Sequence, residues 1–146
     1  MVEHCLQDYG LAPEWLELEI TESVVMEQSE RIAETFAKLQ RLGVRIAIDD
    51  FGTGFSSMSY LKRLPIHTLK IDRSFVEGVA SDPDCAAIAK AIISLGHALR
   101  LAVTAEGVET AEQLEFMKLA GCHQAQGFLI AKPMPAEAVT PWLAGR

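Results

Sequence analysis

Carboxylate, lysine and amide side chains recur at the ends of short apolar runs in this chain. They belong to five runs and comprise Glu19, Glu22, Asp49, Asp50, Lys70, Asp72, Glu106, Glu109 and Gln126. Carboxylates that converge with one lysine and no histidine are ligands suited to hard divalent cations. If the runs are parallel strands joined by helical crossovers, their carboxyl ends share one rim. The pattern therefore predicts a site for divalent cations at that rim.

The adjacent carboxylates Asp49 and Asp50 are the most specific of these signals. They follow the mainly apolar run Arg45–Ile48, and they would repel each other unless a cation neutralised them. Because adjacent side chains diverge from an extended backbone, one carboxylate could bridge two ions while the other binds only the second. The alternative is a turn-forming pair of aspartates ahead of Gly52.

Lys70 lies in the middle of a short apolar run, between Leu69 and Ile71. Burying an ammonium group without a partner is costly, so Lys70 needs carboxylates or solvent nearby. Pointing into the rim, it could hold a hydroxide or a phosphate oxygen. The alternative is an ordinary lysine on an edge strand.

Two pairs of glutamates have structural alternatives as well. Glu19 and Glu22 could be a strand-end charge and a carboxylate stabilised by the dipole of a following helix. Glu106 and Glu109 could cap a helix, with Gly107 permitting close approach of the backbone. Taken together, these alternatives require independent coincidences at the same end of five strands, so the metal site is the better hypothesis.

A glycine-containing loop follows the aspartate pair and includes Phe51, Gly52, Thr53 and Gly54. It lacks the Lys-Ser/Thr pair of a P-loop and the third glycine of a dinucleotide-binding fingerprint. We therefore expect a mobile lid or a coupling loop.

Strand and helix patterns alternate along the whole chain. The predicted strands are Trp15–Thr21, Val44–Ile48, Thr68–Ile71, Leu101–Ala105 and Ala125–Ile130. The predicted helices are His4–Tyr9, Gln28–Leu42, a short helix ending at Lys62, Asp82–Leu99, Thr110–Leu119 and Ala136–Leu143. This alternation is typical of a parallel α/β sheet.

The distribution of the polar residues favours a barrel over an open doubly wound sheet. A doubly wound sheet concentrates its site at one switch point, whereas a barrel brings every strand end to one rim. Five strands cannot close a barrel, so about three strands are expected to be missing on the N-terminal side. The predicted fold is α/β, an incomplete TIM-like (β/α)8 barrel of about five C-terminal βα units.

Composition excludes several functional classes. The 146 residues carry a formal net charge of −7, which disfavours binding to a DNA or RNA duplex. Cys5, Cys85 and Cys122 are odd in number and widely spaced, as expected in a reducing compartment. The start lacks a signal-peptide pattern, and the apolar stretch Ala86–Leu99 is short for a membrane span. We predict a soluble, cytoplasmic chain whose parent protein could be membrane-anchored.

Motifs throughout the chain resemble the EAL family of cyclic-di-GMP phosphodiesterases. The matching segments, in family order, are Glu19–Ser23, Asp49–Ser57, Leu69–Asp72, Ala105–Glu109 and Gln126–Phe128. The resemblance covers essentially the whole chain. It implies that residues 1–146 are the C-terminal portion of a single EAL phosphodiesterase domain.

The resemblance implies an activity and a set of metal ligands. The family hydrolyses cyclic-di-GMP to 5′-pGpG with two Mg²⁺ or Mn²⁺ ions held in a modified (β/α)8 barrel. By motif position, Glu19 and Asp49 would bind one metal, and Asp49 would bridge to the second. Asp50 and Glu106 would complete the second site, and Lys70 would hold the attacking water.

The remaining motif positions imply supporting roles. Gln126 and Glu109 would support the site, and Glu22 would brace the loop that begins at Phe51. Glu106 is also a candidate to accept the proton. The Glu-Ala-Leu motif and the metal-binding Asn of an early strand do not occur here, so the chain alone is expected to be inactive.

Two other functions fit part of the pattern. A catalytically inactive EAL-type cyclic-di-GMP receptor would share the fold, although such proteins are expected to have lost metal ligands that this chain retains. An enolase-type metal barrel would also use strand-end carboxylates and a lysine, but it does not explain the Asp-Asp-Phe-Gly-Thr-Gly loop. For partners, we expect a homodimer or a strand-swapped assembly through open sheet edges, and sensory or GGDEF-type domains in the parent.

Overall fold

The computed structural model describes residues 1–26, 30–54 and 61–145. In these segments five strands form one parallel sheet: β1 (Glu17–Thr21), β2 (Arg45–Phe51), β3 (Thr68–Ile71), β4 (Ala102–Ala105) and β5 (Gln124–Ala125). Their spatial order is their order in the sequence, and each strand pairs with the next in parallel. The order does not reverse, so the described sheet lacks the switch point of a doubly wound fold. The predicted parallel α/β architecture is confirmed.

The described residues also form seven α-helices and one 3₁₀ helix, Pro13–Trp15. The α-helices are α1 (Val2–Asp8), α2 (Glu22–Met26), α3 (Glu30–Leu42), α4 (Arg73–Gly78), α5 (Pro83–Leu99), α6 (Ala111–Leu119) and α7 (Ala136–Ala144). Local sequence sets several of their ends. Asp82 caps α5 by accepting a hydrogen bond from the Asp84 N–H, and Thr110 with Gln113 forms a capping box at α6.

The hydrophobic core lies between the sheet and its helices. Leu69 and Ile71 of β3 are fully buried, and they belong to one cluster with Phe36 of α3, Ile93 of α5 and Met117 of α6. Because side chains alternate along a strand, the residues between these positions face the other side of the sheet. The residues between the buried positions therefore line the second face of the sheet.

The second face of the sheet is lined by polar side chains. Glu17 accepts hydrogen bonds from the Thr68 hydroxyl, at 2.7 Å, and from Arg45 Nε, at 3.4 Å. Further along the sheet, the Thr104 hydroxyl lies 3.1 Å from the side-chain oxygen of Gln124. This face leads to the carboxyl ends of the strands, where the predicted functional residues are found.

The structure differs from the predicted elements mainly at the C-terminal end. The predicted strand Ala125–Ile130 is wrong, because β5 consists of Gln124–Ala125 and the chain then turns. At the turn, a side chain on Gly127 would collide with the backbone of Val108. Helices α2 and α4 are not among the predicted elements; α4 follows β3 directly, with Asp72 as its N-cap. The predicted short helix before Lys62 and loop residues 55–57 lie outside the described residues, apart from the end of that helix.

Among the residues that the structure describes, every helix is too short or too polar to span a lipid bilayer.

Candidate metal centre

A distortion in β2 turns both aspartates toward one place. The register between β2 and β3 shifts between Ile48 and Phe51, so the pairing of the two strands is irregular at Asp49 and Asp50. Asp50 has a left-handed backbone with φ of 54°, and its N–H bonds the side-chain oxygen of Asp49 at 3.1 Å. Strained backbone of this kind is concentrated at functional sites. The adjacent carboxylates thus reach one cluster, although an undistorted strand would have separated them.

Lys70 is the centre of an ionic network at the carboxyl end of the strands. Its side chain is 5% exposed, and its Nζ lies 2.5 Å from Glu106 Oε1, 2.6 Å from Glu19 Oε1 and 3.2 Å from Asp49 Oδ1. Burial alone would lower the pKa of the ammonium group, but hydrogen bonds to Glu106 and Glu19 raise the pKa above its ordinary value. Lys70 therefore stays positively charged and links strands β1, β2 and β3 to the end of β4.

One ammonium does not neutralise the carboxylates around it. Burial raises the pKa of Glu106, and the hydrogen bond from Lys70 only partly opposes this effect. Burial also raises the pKa of Asp50, with further contributions from the charges of Asp49 and Asp72. The site holds surplus negative charge that a cation would relieve.

The geometry of three carboxylates fits a divalent cation. Asp49, Asp50 and Glu106 each offer an oxygen atom, and these atoms lie within 4.8 Å of one another. Oxygen ligands of this type suit Mg²⁺, Mn²⁺ or Ca²⁺. Glu19 lies outside this group of three. It is connected to the group through Lys70, because Lys70 Nζ bonds both Glu19 and Asp49.

Glu22 holds the glycine-containing loop. It is the first residue of α2 and is 3% exposed, and its Oε2 accepts hydrogen bonds from the N–H groups of Gly52, at 3.0 Å, and Gly54, at 3.1 Å. Within the same loop, the Thr53 hydroxyl donates to the backbone oxygen of Asp50 at 2.9 Å. These bonds connect the position of Asp50 to the carboxylate of Glu22.

Gln126 and Glu109 take different places around the site. The Gln126 amide donates to Glu106 Oε1 at 2.8 Å, so Gln126 contacts the ionic network directly. The Glu109 carboxylate pairs with Arg73 Nη2 at 2.9 Å. Glu109 therefore lies beside the carboxylate cluster, and the contacts described for its side chain do not include Glu106 or Lys70.

Sequence reasoning did not assign roles to Asp72 and Arg73. Asp72 contributes to the raised pKa of Asp50, and Arg73 pairs with Glu109. The strand-end rule does select Asp72, which ends the run that contains Lys70, but it does not select Arg73, the next residue along the chain.

Comparison with known proteins places this site in context. The family model described as "EAL domain" matches residues 1–133. A relative from Pseudomonas aeruginosa, the bifunctional diguanylate cyclase/cyclic di-GMP phosphodiesterase MucR, is 50% identical over 136 residues. The match covers 93% of this chain and 20% of that protein, so this chain spans about a fifth of its length.

Solved structures show the same similarity. The MucR phosphodiesterase in complex with c-di-GMP matches with a TM-score of 0.91 and 49% identity, over 94% of this chain and 56% of that one. The EAL domain of Mycobacterium smegmatis DcpA matches with a TM-score of 0.92 and 44% identity, over 99% and 64%. Klebsiella pneumoniae BlrP1, in a complex with manganese and cyclic-di-GMP, matches with a TM-score of 0.84 and 31% identity, over 90% and 34%.

Proposed function

We propose that this chain, which belongs to the EAL domain family, is the C-terminal portion of a cyclic-di-GMP phosphodiesterase domain. Its five-stranded sheet is a portion of the TIM-like barrel of that family. The proposed reaction is metal-dependent hydrolysis of cyclic-di-GMP to 5′-pGpG.

The observation that carries this proposal is the network around Lys70. A buried ammonium contacts carboxylates from Glu19, Asp49 and Glu106, and a group of three carboxylates with the spacing of metal ligands lies next to it. A catalytically inactive receptor has no need to retain a lysine and a set of carboxylates in this arrangement. The network therefore favours the enzyme over the receptor.

We assign two Mg²⁺ or Mn²⁺ ions to this site. Asp49, Asp50 and Glu106 would hold one ion, and Glu19 with Asp49 would contribute to the other. Two bound cations would lower the pKa of the attacking water and neutralise charge that develops on the phosphodiester. The pKa values of Asp50 and Glu106 are both raised above their ordinary values, which agrees with a set of ligands whose negative charge a cation would neutralise.

The protein residues supply position and proton transfer. The Lys70 ammonium, fixed by its carboxylate partners, is placed to orient the attacking water. Glu106 is the proposed proton acceptor, because its carboxylate lies 2.5 Å from Lys70 Nζ, which is placed to orient the water. Gln126 holds the orientation of Glu106 through their 2.8 Å hydrogen bond.

The proposal is tested by hydrolysis in the complete domain, that is, this chain joined to the N-terminal residues of its parent protein. Incubation with cyclic-di-GMP and Mn²⁺ should produce 5′-pGpG, and a chelator should stop the reaction. Lys70→Met should abolish turnover, whereas the matched change Lys38→Met, on the exposed surface of α3, should not. Binding of cyclic-di-GMP without hydrolysis in the unmodified domain would contradict the enzyme and support the receptor.

We also expect the chain on its own to form a homodimer or a strand-swapped assembly. In the described sheet, β1 and β5 each have a neighbour on one side only, and open edges promote pairing with another chain. Light scattering on the isolated chain should give at least twice the mass of 16.0 kDa. A stable monomer would contradict this expectation.

The parent protein is expected to carry sensory or GGDEF-type domains, since one relative is named as a bifunctional cyclase and phosphodiesterase. The cytoplasmic location stays a prediction from the cysteines.

A further inference from the structure

Two side-chain contacts join β1 to β3 across β2, the strand that lies between them. Nearer the carboxyl ends of the strands, Glu19 Oε1 lies 2.6 Å from Lys70 Nζ. Two residues earlier on each strand, the Thr68 hydroxyl donates to Glu17 Oε2 at 2.7 Å. Because side chains two residues apart on a strand face the same side, both contacts lie on the second face of the sheet. We call the contact of Glu19 with Lys70 the upper link and the contact of Glu17 with Thr68 the lower link.

The lower link joins a buried hydroxyl to a charged acceptor. Thr68 is 1% exposed, so its hydroxyl would carry a desolvation cost if it lost its acceptor. A hydrogen bond to a carboxylate is also stronger than one between neutral groups. The lower link therefore holds β3 at a set distance from β1, at a point two residues before Lys70.

Ala47 of β2 lies between the two links. In the strand register it pairs with Glu19 of β1 and with Thr68 of β3. Ala47 is fully buried but does not belong to the hydrophobic core cluster, whereas its neighbours Ile46 and Ile48 do. Its methyl group therefore faces the links, because side chains alternate along a strand. A larger side chain here would occupy the space through which the two glutamates of β1 reach β3.

The position of Lys70 matters to the proposed reaction, because its ammonium group is placed to orient the attacking water. A displacement of about 1 Å at an active site can lower the rate on the order of 100-fold. The upper link and the contact with Glu106 hold the ammonium group, and the lower link holds the strand that carries it. Lys70 is thus held both at its charged end and at its backbone.

We propose that Glu17, Thr68 and Ala47 are positioning residues for Lys70. Glu17 and Thr68 fix the separation of β1 and β3, and Ala47 leaves the space that both links require. This inference rests on the proposed function, because it explains how the lysine assigned to the attacking water is kept in place.

The lower link is tested in the complete domain, with rates measured well below the melting temperature of each variant. Thr68→Val keeps the shape of the side chain but removes the hydroxyl, and Glu17→Ala removes the acceptor. Each should lower kcat for cyclic-di-GMP about tenfold, the lower end of the range for residues that orient a site, and leave KM within about twofold. Thr68→Ser, which keeps the hydroxyl, should restore kcat.

A double-mutant cycle shows whether Glu17 and Thr68 act through their contact. If they do, the variant that carries both Glu17→Ala and Thr68→Val should have the kcat of either single variant, within about twofold. A combined loss of about 100-fold would show that each residue acts separately, and it would overturn the lower link.

Ala47→Val tests the space between the links. It should lower kcat by about tenfold or more, because the added methyl groups push the links apart. The matched control is Ala89→Val, which adds the same volume at a fully buried position of α5 in the hydrophobic core. Both variants should lose stability, but Ala89→Val should keep kcat while it remains folded. Equal kcat values for the two variants would overturn the role of Ala47.

A spectroscopic measurement separates these roles from the proposed reaction. The nitrogen NMR signal of the Lys70 ammonium, identified by its absence in Lys70→Met, reports the surroundings of Nζ without turnover. The signal should shift in Glu17→Ala, Thr68→Val and Ala47→Val, and it should stay in place in Thr68→Ser and Ala89→Val. If it does so but the unmodified domain does not hydrolyse cyclic-di-GMP, the positioning roles stand and the proposed reaction falls. An unchanged signal in the first three variants would overturn the positioning roles even in an active phosphodiesterase.

Discussion

The carboxylate of Glu22 accepts a hydrogen bond from the N–H of Gly52, thirty residues further along the chain. The same oxygen also accepts from Gly54, so one buried side chain replaces the backbone partners that a regular strand or helix would have supplied. Because Gly52 follows Asp50 by two residues, Glu22 acts on the carboxylate cluster through the loop.

Glu22→Ala should lower turnover without removing a metal ligand. We expect a fall of about 10–100-fold, the range for outer residues that orient a metal site. Amide exchange at residues 51–54 should become faster, and the Mn²⁺ concentration for half-maximal activity should change little. Glu30→Ala, at the exposed start of α3, is the matched control. If exchange in the loop is unchanged while metal affinity collapses, Glu22 is itself a ligand.

Asp50→Asn should abolish hydrolysis and leave the fold intact. The pKa of Asp50 is raised by burial and by the charge of Asp49. The negative charge of Asp50 therefore lowers the stability of the fold when no metal is bound. Removing its charge should keep the melting temperature without metal unchanged or higher. Turnover should fall at least about 100-fold, the scale for losing one electrostatic group at a reacting centre.

The backbone at Asp50 supplies a control for this substitution. Asn tolerates a left-handed conformation, whereas Ala does not, so Asp50→Ala should also lose stability. Thermal melting of both variants separates the charge from the backbone conformation. A lower melting temperature for Asp50→Asn would contradict the electrostatic explanation.

Gly127→Ala should destabilise the fold more than Gly10→Ala. Both residues have positive φ, but a side chain at Gly10 meets open space, whereas one at Gly127 meets the backbone of Val108. Gly10→Ala should cost about 1–2 kcal/mol from backbone conformation alone. Gly127→Ala should cost about 1–3 kcal/mol more because of overpacking. Denaturant unfolding measures both values, and equal losses would show that the contact with Val108 is unimportant.

The strand-end rule predicted the ionic network because it depends only on topology. Glu19, Asp49, Lys70 and Glu106 follow from parallel strands with a shared rim, and the structure brings them together. The rule could not predict the register shift at Asp50, because the shift depends on pairing with β3 and on the hydrogen bond between Glu22 and the loop.

The C-terminal turn shows a different limit of sequence reasoning. The apolar run after Gln126 has the composition of a strand, but close contact of Gly127 with Val108 ends the sheet there. Phe128 and Leu129 are consequently exposed. Composition shows that these residues are hydrophobic, but it does not reveal the long-range contact between Gly127 and Val108 that places them at the surface. The pairing of Arg73 with Glu109 is likewise a contact between two strand ends that no local pattern encodes.

The last prediction concerns acid destabilisation through His67. Its Nδ1 accepts the N–H of Ile46 at 3.1 Å, and burial, followed by the charge of Arg45, lowers its pKa below the ordinary value of 6.5. The unfolded chain therefore binds this proton more readily than the folded protein. The contribution of His67 to stability is complete above pH 6.5 and is lost as the pH falls through the lower, folded pKa.

His67→Asn provides the test, because its side-chain oxygen can accept the same N–H and does not titrate. The free energy of unfolding, measured by denaturant between about pH 7 and pH 5, should fall less steeply for His67→Asn than for the unmodified protein. His4→Asn, in α1, is the matched control and should keep the original slope. If the slopes for His67→Asn and the unmodified protein are equal, protonation of His67 does not change the free energy of unfolding in this pH range. The contact between His67 and the Ile46 N–H would then not require a neutral imidazole.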